Sequence, residues 1–177
     1  ICEVTHGLIK EDKLKFDKSQ NDDMVLTYHD SCNVARASRM GDKAGGQFEI
    51  PRNIIKAVCN NYHDMSKDTI KEGTYCCGGG GGLLTDDLME LRVKGALPRM
   101  EALRRVVEDH GVTHMAAICA ICKSQFSKVF PYYDFTMDQI VSVHQLVSNA
   151  IILTGQHDEN DENDGENHPQ QDIDEAA

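Results

Sequence analysis

No run of about 18 apolar residues occurs anywhere in the 177-residue sequence, so no segment is suited to span a bilayer as a helix. No basic stripe with interleaved aromatics is present, which leaves nucleic-acid binding without support. The five consecutive glycines Gly78 to Gly82 lack the Gly-Lys-Ser/Thr continuation that a phosphate-binding P-loop requires. The segment "CAIC" lacks the histidine of a haem-attachment motif, with Lys123 in its place. No internal repeat occurs. The sequence opens on Ile1 within a helix-like stretch, "EVTHGLIK", and is expected to be part of a longer protein.

Basic residues are also missing from one region. From His157 onward the sequence carries nine Asp or Glu and no Lys or Arg. The formal charge of −11 therefore belongs mostly to this stretch, because the remainder sets 20 acids against 18 bases. A segment that polar cannot bury a core, so residues 156–177 are expected to form a solvated acidic tail, or a docking segment for a basic partner. Residues 1–155 are expected to form one domain.

What the sequence does hold is cysteine. Seven are present, at positions 2, 32, 59, 76, 77, 119 and 122. The odd count and the length argue against a secreted disulfide scaffold, leaving metal ligation, redox chemistry, or both in a reducing compartment. Hydrophobic patterning alternates strands with helices. "MVLTY" reads as a strand, "PRNIIKAVCNNY" as a helix entered at Pro51, and "GTY" as a weak strand. Residues 85–111 read as two helices broken near Gly95 and Pro98, with Gly111 as a stop. "VTHMAAI" is a strand, "KSQFSKVF" a helix ending at Pro131, and "QIVSVHQLVSNAIIL" a short strand running into a helix. Strands joined by helical crossovers run parallel, so the fold class is α/β with a mainly parallel sheet flanked by helices.

That topology has a chemical consequence. Cys32, the Cys76–Cys77 pair, and Cys119 with Cys122 each follow a predicted strand. In open α/β sheets the carboxyl ends of the strands share one edge, where ligands bind. Three distant segments would then deliver five thiols to one place, in the pattern C-x43-CC-x41-C-x2-C. Five cysteines overfill a tetrahedral zinc site and exceed the four thiolates of a cubane iron–sulfur cluster. The spacing therefore suggests a cluster of unusual nuclearity, or four ligands and a spare thiol. Gly78 to Gly82, lacking Cβ atoms, would bring backbone N–H groups close to cluster sulfurs, with Gly78, Gly79 and Gly80 as candidate cofactor-binding residues. Taken alone, "CAIC" is equally a thioredoxin-type dithiol. His29 is a candidate proton donor or a plain loop histidine. Arg36 and Lys123 are candidate counter-charges for thiolates and sulfides, or ordinary surface charges. Cys2 and Cys59 read as buried small hydrophobes, and His110, His114 and His144 as structural.

The motifs "YHDSCNVAR", "CCGGGGGLL" and "CAICKSQF" resemble the cysteine-rich CCG domain of the heterodisulfide-reductase family. The resemblance covers most of residues 24 to 153. It implies a noncubane [4Fe-4S] cluster held by Cys32, Cys76, Cys77, Cys119 and Cys122, at the carboxyl edge of the strands. Within that family, "LLTDDLMELRVKGALPRMEALR" with "HDSCNVAR" looks closest to the catalytic iron–sulfur subunit of the Dsr membrane complex. That likeness implies a cytoplasmic oxidoreductase held to the membrane through a cytochrome or quinone-linked subunit. It would exchange electrons with a disulfide or trisulfide of the small sulfur-carrier protein DsrC. The cubane [4Fe-4S] motifs of such proteins are absent from this sequence and are expected upstream of it. Other readings stay open: a non-catalytic electron-transfer module, a zinc module, or a relative acting on a small heterodisulfide or in lactate, glycolate or glycerol-phosphate oxidation.

Overall fold

The structure, a computed structural model, describes residues 1–40, 43–44 and 47–153. The expected acidic tail lies outside the described residues. Three short strands form a parallel sheet in the order β1 (Leu26–Tyr28), β4 (His114–Ala117), β5 (Ile140–Ser142), with Thr27 opposite Met115 and Ala116 opposite Val141. A two-residue antiparallel pair, β2 (Arg39–Met40) with β3 (Lys43–Ala44), stands apart. The helices are α1 (Cys2–Lys10), α2 (Glu49–Val58), α3 (Met89–His110), α4 (Ala120–Val129) and α5 (Val143–Ala150). The α/β class read from the patterning is the class observed. Among the described residues no helix is long and apolar enough to cross a membrane.

Successive residues of a strand point to opposite faces, and here that alternation separates two cores. Met115 joins Met100, Leu103, Val106, Phe126 and Phe130 on the side of α3 and α4. Its neighbour Ala116 joins Leu26, Tyr28, Ile54, Val58 and Leu146 on the side of α1, α2 and α5. Cys2 and Cys59 are buried in this second core, as small apolar residues.

Three expectations are corrected. The weak strand "GTY" does not form; residues 67–69 and 71–73 make single 3-10 turns, and Thr74 is held by its side chain rather than by a ladder. The place beside β1 is taken instead by one parallel bridge at Tyr62, with Leu26 N–H donating to Asn61 and His63 N–H to Leu26. The two helices expected across 85–111 are one, the 22-residue α3, running straight through Gly95 and Pro98. Proline removes only one helical hydrogen bond, at the carbonyl four residues back, and Pro98 is on the exposed face. The buried stripe Arg92, Ala96, Arg99, Leu103, Val106 continues on both sides of it and holds the helix together. Finally, α2 begins at Glu49, placing Pro51 within the first turn, where its missing N–H is unneeded anyway.

One ion pair joins these parts. Asp30, fully buried after β1, accepts two 2.7 Å hydrogen bonds from the Arg52 guanidinium of α2. The same carboxylate accepts the Lys71 N–H at 2.8 Å, and the Asp30 carbonyl accepts the Thr74 hydroxyl at 2.8 Å. Arg52 also reaches Asp64 at 3.0 Å. Removing one member of such a pair leaves a buried charge without its partner. Arg52→Met should therefore lower unfolding stability by roughly 3–5 kcal/mol, read as a reduced urea midpoint at unchanged slope. A loss below about 1 kcal/mol would mean that the pair is no stronger than a surface contact.

Candidate cluster site

Each of the three cysteine-bearing segments is placed by a different local device. Cys32 opens a single turn of π-helix, Cys32–Arg36, in which Ala37 N–H donates to the Cys32 carbonyl at 2.9 Å. Such turns are rare and gather at functional sites. Cys119 is the N-cap of α4, two residues beyond β4, and Cys122 lies in that helix's first turn. Cys76 and Cys77 come from the loop that Asp30 and Thr74 anchor.

These segments meet at one cavity of about 280 Å³. Cys32, Cys77, Cys119 and Cys122 line it, and Gly79, Gly80, Gly81 and Gly82 form one wall. Cys76 is exposed beside it. Its sulfur accepts the Gly78 N–H at 3.2 Å, and a Cβ on Gly80 would stand 3.7 Å away. Neighbouring thiols influence one another's ionisation: Cys77 that of Cys76, and Cys122 those of Cys77 and Cys119. The Ser31 hydroxyl lies 3.7 Å from the Cys122 sulfur.

Electrostatics divide the thiols. The Cys77 pKa is raised by its hydrogen bond to Cys122 and by burial, and that of Cys76 by its bond to Cys77 and by burial. At Cys119 burial opposes ionisation, but the N–H groups of Cys122 and Ile121 and the Ser31 hydroxyl outweigh it and lower the pKa. These N–H groups belong to the start of α4, where the helix dipole favours a thiolate.

The glycines differ in purpose. Gly78 has φ +87°, and a Cβ there would stand 2.3 Å from the Arg92 carbonyl of α3, so this residue packs the loop against a helix. Gly81 and Gly82 also have positive φ but face open space. Of the five glycines singled out from sequence, Gly79, Gly80, Gly81 and Gly82 line the cavity and Gly78 lies behind it. Ser31, Asn33, Leu84 and Ile121 complete the lining and were not anticipated. Ser31 and Ile121 each adjoin or separate cysteines in sequence, which is the signal that could have found them.

The other candidates lie elsewhere. The Arg36 guanidinium donates to the Glu72 and Thr74 carbonyls at 3.4 Å, bracing the neighbouring loop. Lys123 is half-buried and outside the lining. His29 is 1 % exposed, packs edge-on against Phe126 at 4.8 Å, and has no hydrogen-bond partner on either ring nitrogen. Burial, reinforced by the charge of Arg99, holds it well below the ordinary histidine range and therefore neutral. Among the described residues no group of three Cys, His, Asp or Glu side chains is arranged to hold a single metal ion. The soft donor set, spread around a cavity with a glycine wall, fits an iron–sulfur cluster.

The Cysteine-rich domain family CCG matches residues 26–127, a span that includes all five of these cysteines. The chain belongs to this CCG family. Its CCG region is also shared with larger proteins. Over 154 residues, 87% of this chain, it is 42% identical to the Hdr-like menaquinol oxidoreductase iron-sulfur subunit 2 of Archaeoglobus fulgidus. Over the same length it is 44% identical to the corresponding iron-sulfur subunit of Archaeoglobus profundus. Over 129 residues, 70% of the chain, it is 33% identical to a subunit of the dihydromethanophenazine:CoB–CoM heterodisulfide reductase of Methanosarcina acetivorans. The chain spans about a quarter of the length of these curated relatives, 26% in each case. No solved structure matches it.

The two glycine roles make a testable contrast within this CCG domain. Gly78→Ala forces a left-handed conformation that costs on the order of 1–2 kcal/mol and also meets the Arg92 carbonyl, so its melting temperature should fall. Gly80→Ala, with only an ordinary contact to the Cys76 sulfur, should melt like the parent. Equal melting temperatures for the two variants would contradict this division.

Proposed function

We propose that this chain is the cysteine-rich part of an iron–sulfur subunit in a membrane-associated, quinone-linked redox complex. Its cluster is a noncubane [4Fe-4S] centre held by Cys32, Cys76, Cys77, Cys119 and Cys122. The observation that carries the proposal is that three segments bring four thiols to line one glycine-walled cavity, with Cys76 exposed beside it. The names of the relatives support it: two are iron-sulfur subunits of menaquinol oxidoreductases and one belongs to a heterodisulfide reductase.

The substrate proposed is a disulfide or trisulfide of the sulfur-carrier protein DsrC. When bound, the cluster supplies electrons one at a time to the reacting sulfur, and each S–S bond broken takes up two electrons and two protons. The protein's own residues supply access and position. Cys76 is exposed, Ile121 is exposed at the cavity, and Cys32 and Cys119 are half-exposed, so a partner's sulfur can enter without the fold opening. The glycine wall presents backbone in place of side chains, which allows close approach. The Ser31 hydroxyl and the first N–H groups of α4 orient and stabilise the thiolates. The likeness to the Dsr catalytic subunit supports a cytoplasmic location, with attachment to the membrane through partner subunits and cubane clusters in sequence outside this chain.

A second reading, reduction of a small heterodisulfide of two coenzyme thiols, is favoured by the name of the Methanosarcina relative. Iron, acid-labile sulfide and EPR measurements on the anaerobically purified protein test the cluster. Iron with sulfide and a paramagnetic signal is the expected result, and zinc without sulfide overturns it. Cys77→Ser should lose iron or change the signal; an unchanged spectrum removes Cys77 from the ligand set. Oxidised DsrC should perturb the signal where CoB–CoM heterodisulfide does not, and the reverse outcome selects the second reading.

A further inference from the structure

The interior is unbalanced in charge. Among the described residues the fully buried charged side chains are Arg52, Arg92, Arg99 and Asp30. Asp30 and the half-buried Asp64 both pair with Arg52, which leaves Arg92 and Arg99 inside the protein without a buried acid of their own. Burying an unpaired charge is costly, and a folded protein ordinarily provides the counter-ion.

No buried carboxylate does so here. The Arg92 guanidinium makes two bonds to the Gln125 side-chain oxygen, at 2.8 and 2.6 Å, and one to the Thr85 carbonyl at 3.2 Å. Its nearest acid, Asp86, is exposed and 3.7 Å away. Arg99 donates to the Thr69 carbonyl at 2.5 Å and the Thr74 hydroxyl at 2.9 Å, and touches the Met65 sulfur; its Nε has no partner. All of these acceptors are neutral. Burial brings the Arg99 pKa down to about 10, with Asp30 opposing the fall, so the group remains charged at neutral pH.

Both arginines lie against the cysteine segments. They are seven residues apart on the buried stripe of α3, with Ala96 between them. Arg92 holds Gln125, which is one helical turn beyond Cys122 on α4, and the Arg92 carbonyl abuts Gly78, next to Cys77. Arg99 holds Thr74, two residues before Cys76.

We infer that Arg92 and Arg99 are the resident counter-charges of the anionic group bound by the five thiols, and that they raise its reduction potential. This rests on the cluster reading proposed above. Thiolates and sulfides are negative, and each electron taken up adds one more negative charge. Two fixed cations behind the ligand loops favour the reduced state without a proton having to accompany the electron. They are positioning residues in the electrostatic sense: they touch the ligand loops from behind and never the substrate.

Arg92→Met and Arg99→Met, with Arg99→Lys as a charge-retaining control, test this in the iron-loaded full chain. The measured quantity is the reduction potential, followed by EPR during titration with dithionite in the presence of mediators. Each Met variant should titrate at a more negative potential than the parent, and Arg99→Lys should stay near it. Unchanged potentials in both Met variants overturn the inference. Where a Met variant emerges without iron, iron and sulfide content decides. Iron retained by Arg99→Lys but lost from Arg99→Met upholds a role for charge; equal loss from both overturns it. A parent protein without iron and sulfide is a separate result, which removes the cluster reading itself.

Discussion

The carboxylate of Asp30 organises the site. It lies just beyond β1, two residues before Cys32, and it holds Arg52 of α2 while its Oδ2 also accepts the Lys71 N–H. Through its carbonyl it also holds Thr74, which fixes the approach to Cys76 and Cys77. A single residue thus ties the π-helical turn bearing one thiol to the loop bearing two more. The parallel sheet positions the remaining pair, because β4 lies beside β1 and leads directly into α4. The registration of five thiols is therefore set partly by backbone ladders and partly by one buried ion pair, whose desolvation cost is offset by several hydrogen bonds made together.

What could be read from the sequence was what depends on periodicity. The strand in "VTHMAAI", the strand-to-helix passage in "QIVSVHQLVSNAIIL", and the helix over "PRNIIKAV" all appear, because each has an apolar pattern that the sheet or a helix must bury. The gathering of Cys32 with Cys119 and Cys122 was legible as well, since it follows from parallel topology, whereas Cys76 and Cys77 arrive on a loop held through Asp30 and Thr74 and not at the end of a strand. The errors came where tertiary contacts override local signals. Gly95 and Pro98 resemble breaks until the stripe from Arg92 to Val106 is seen to be buried on both sides of them. "GTY" resembles a strand until Thr74 is seen to be anchored through its hydroxyl.

The buried arginines were invisible for a related reason. In a sequence, Arg92 and Arg99 look like the solvated face of a charged helix, alongside Lys94, Arg104 and Arg105. Only the direction of each side chain separates the interior pair from the surface ones. Their partners, Gln125 and Thr74, are neutral polar residues that carry no motif. Arg36 and Lys123 drew notice as counter-charges because they adjoin cysteines in the sequence. The cations that lie deepest beside the cysteine loops come from a helix with no cysteine at all.

The doubled cysteine also gives the domain a through-wall connection. Cys76 is exposed and Cys77 is 2 % exposed, although one peptide bond separates them. Neighbouring side chains here face different surroundings, one solvent and the other the interior, so the pair crosses from surface to core within two residues. A lone cysteine would have to lie either inside or outside. Two in succession place one thiol within reach of solvent and the next in the interior, on a single short stretch of backbone.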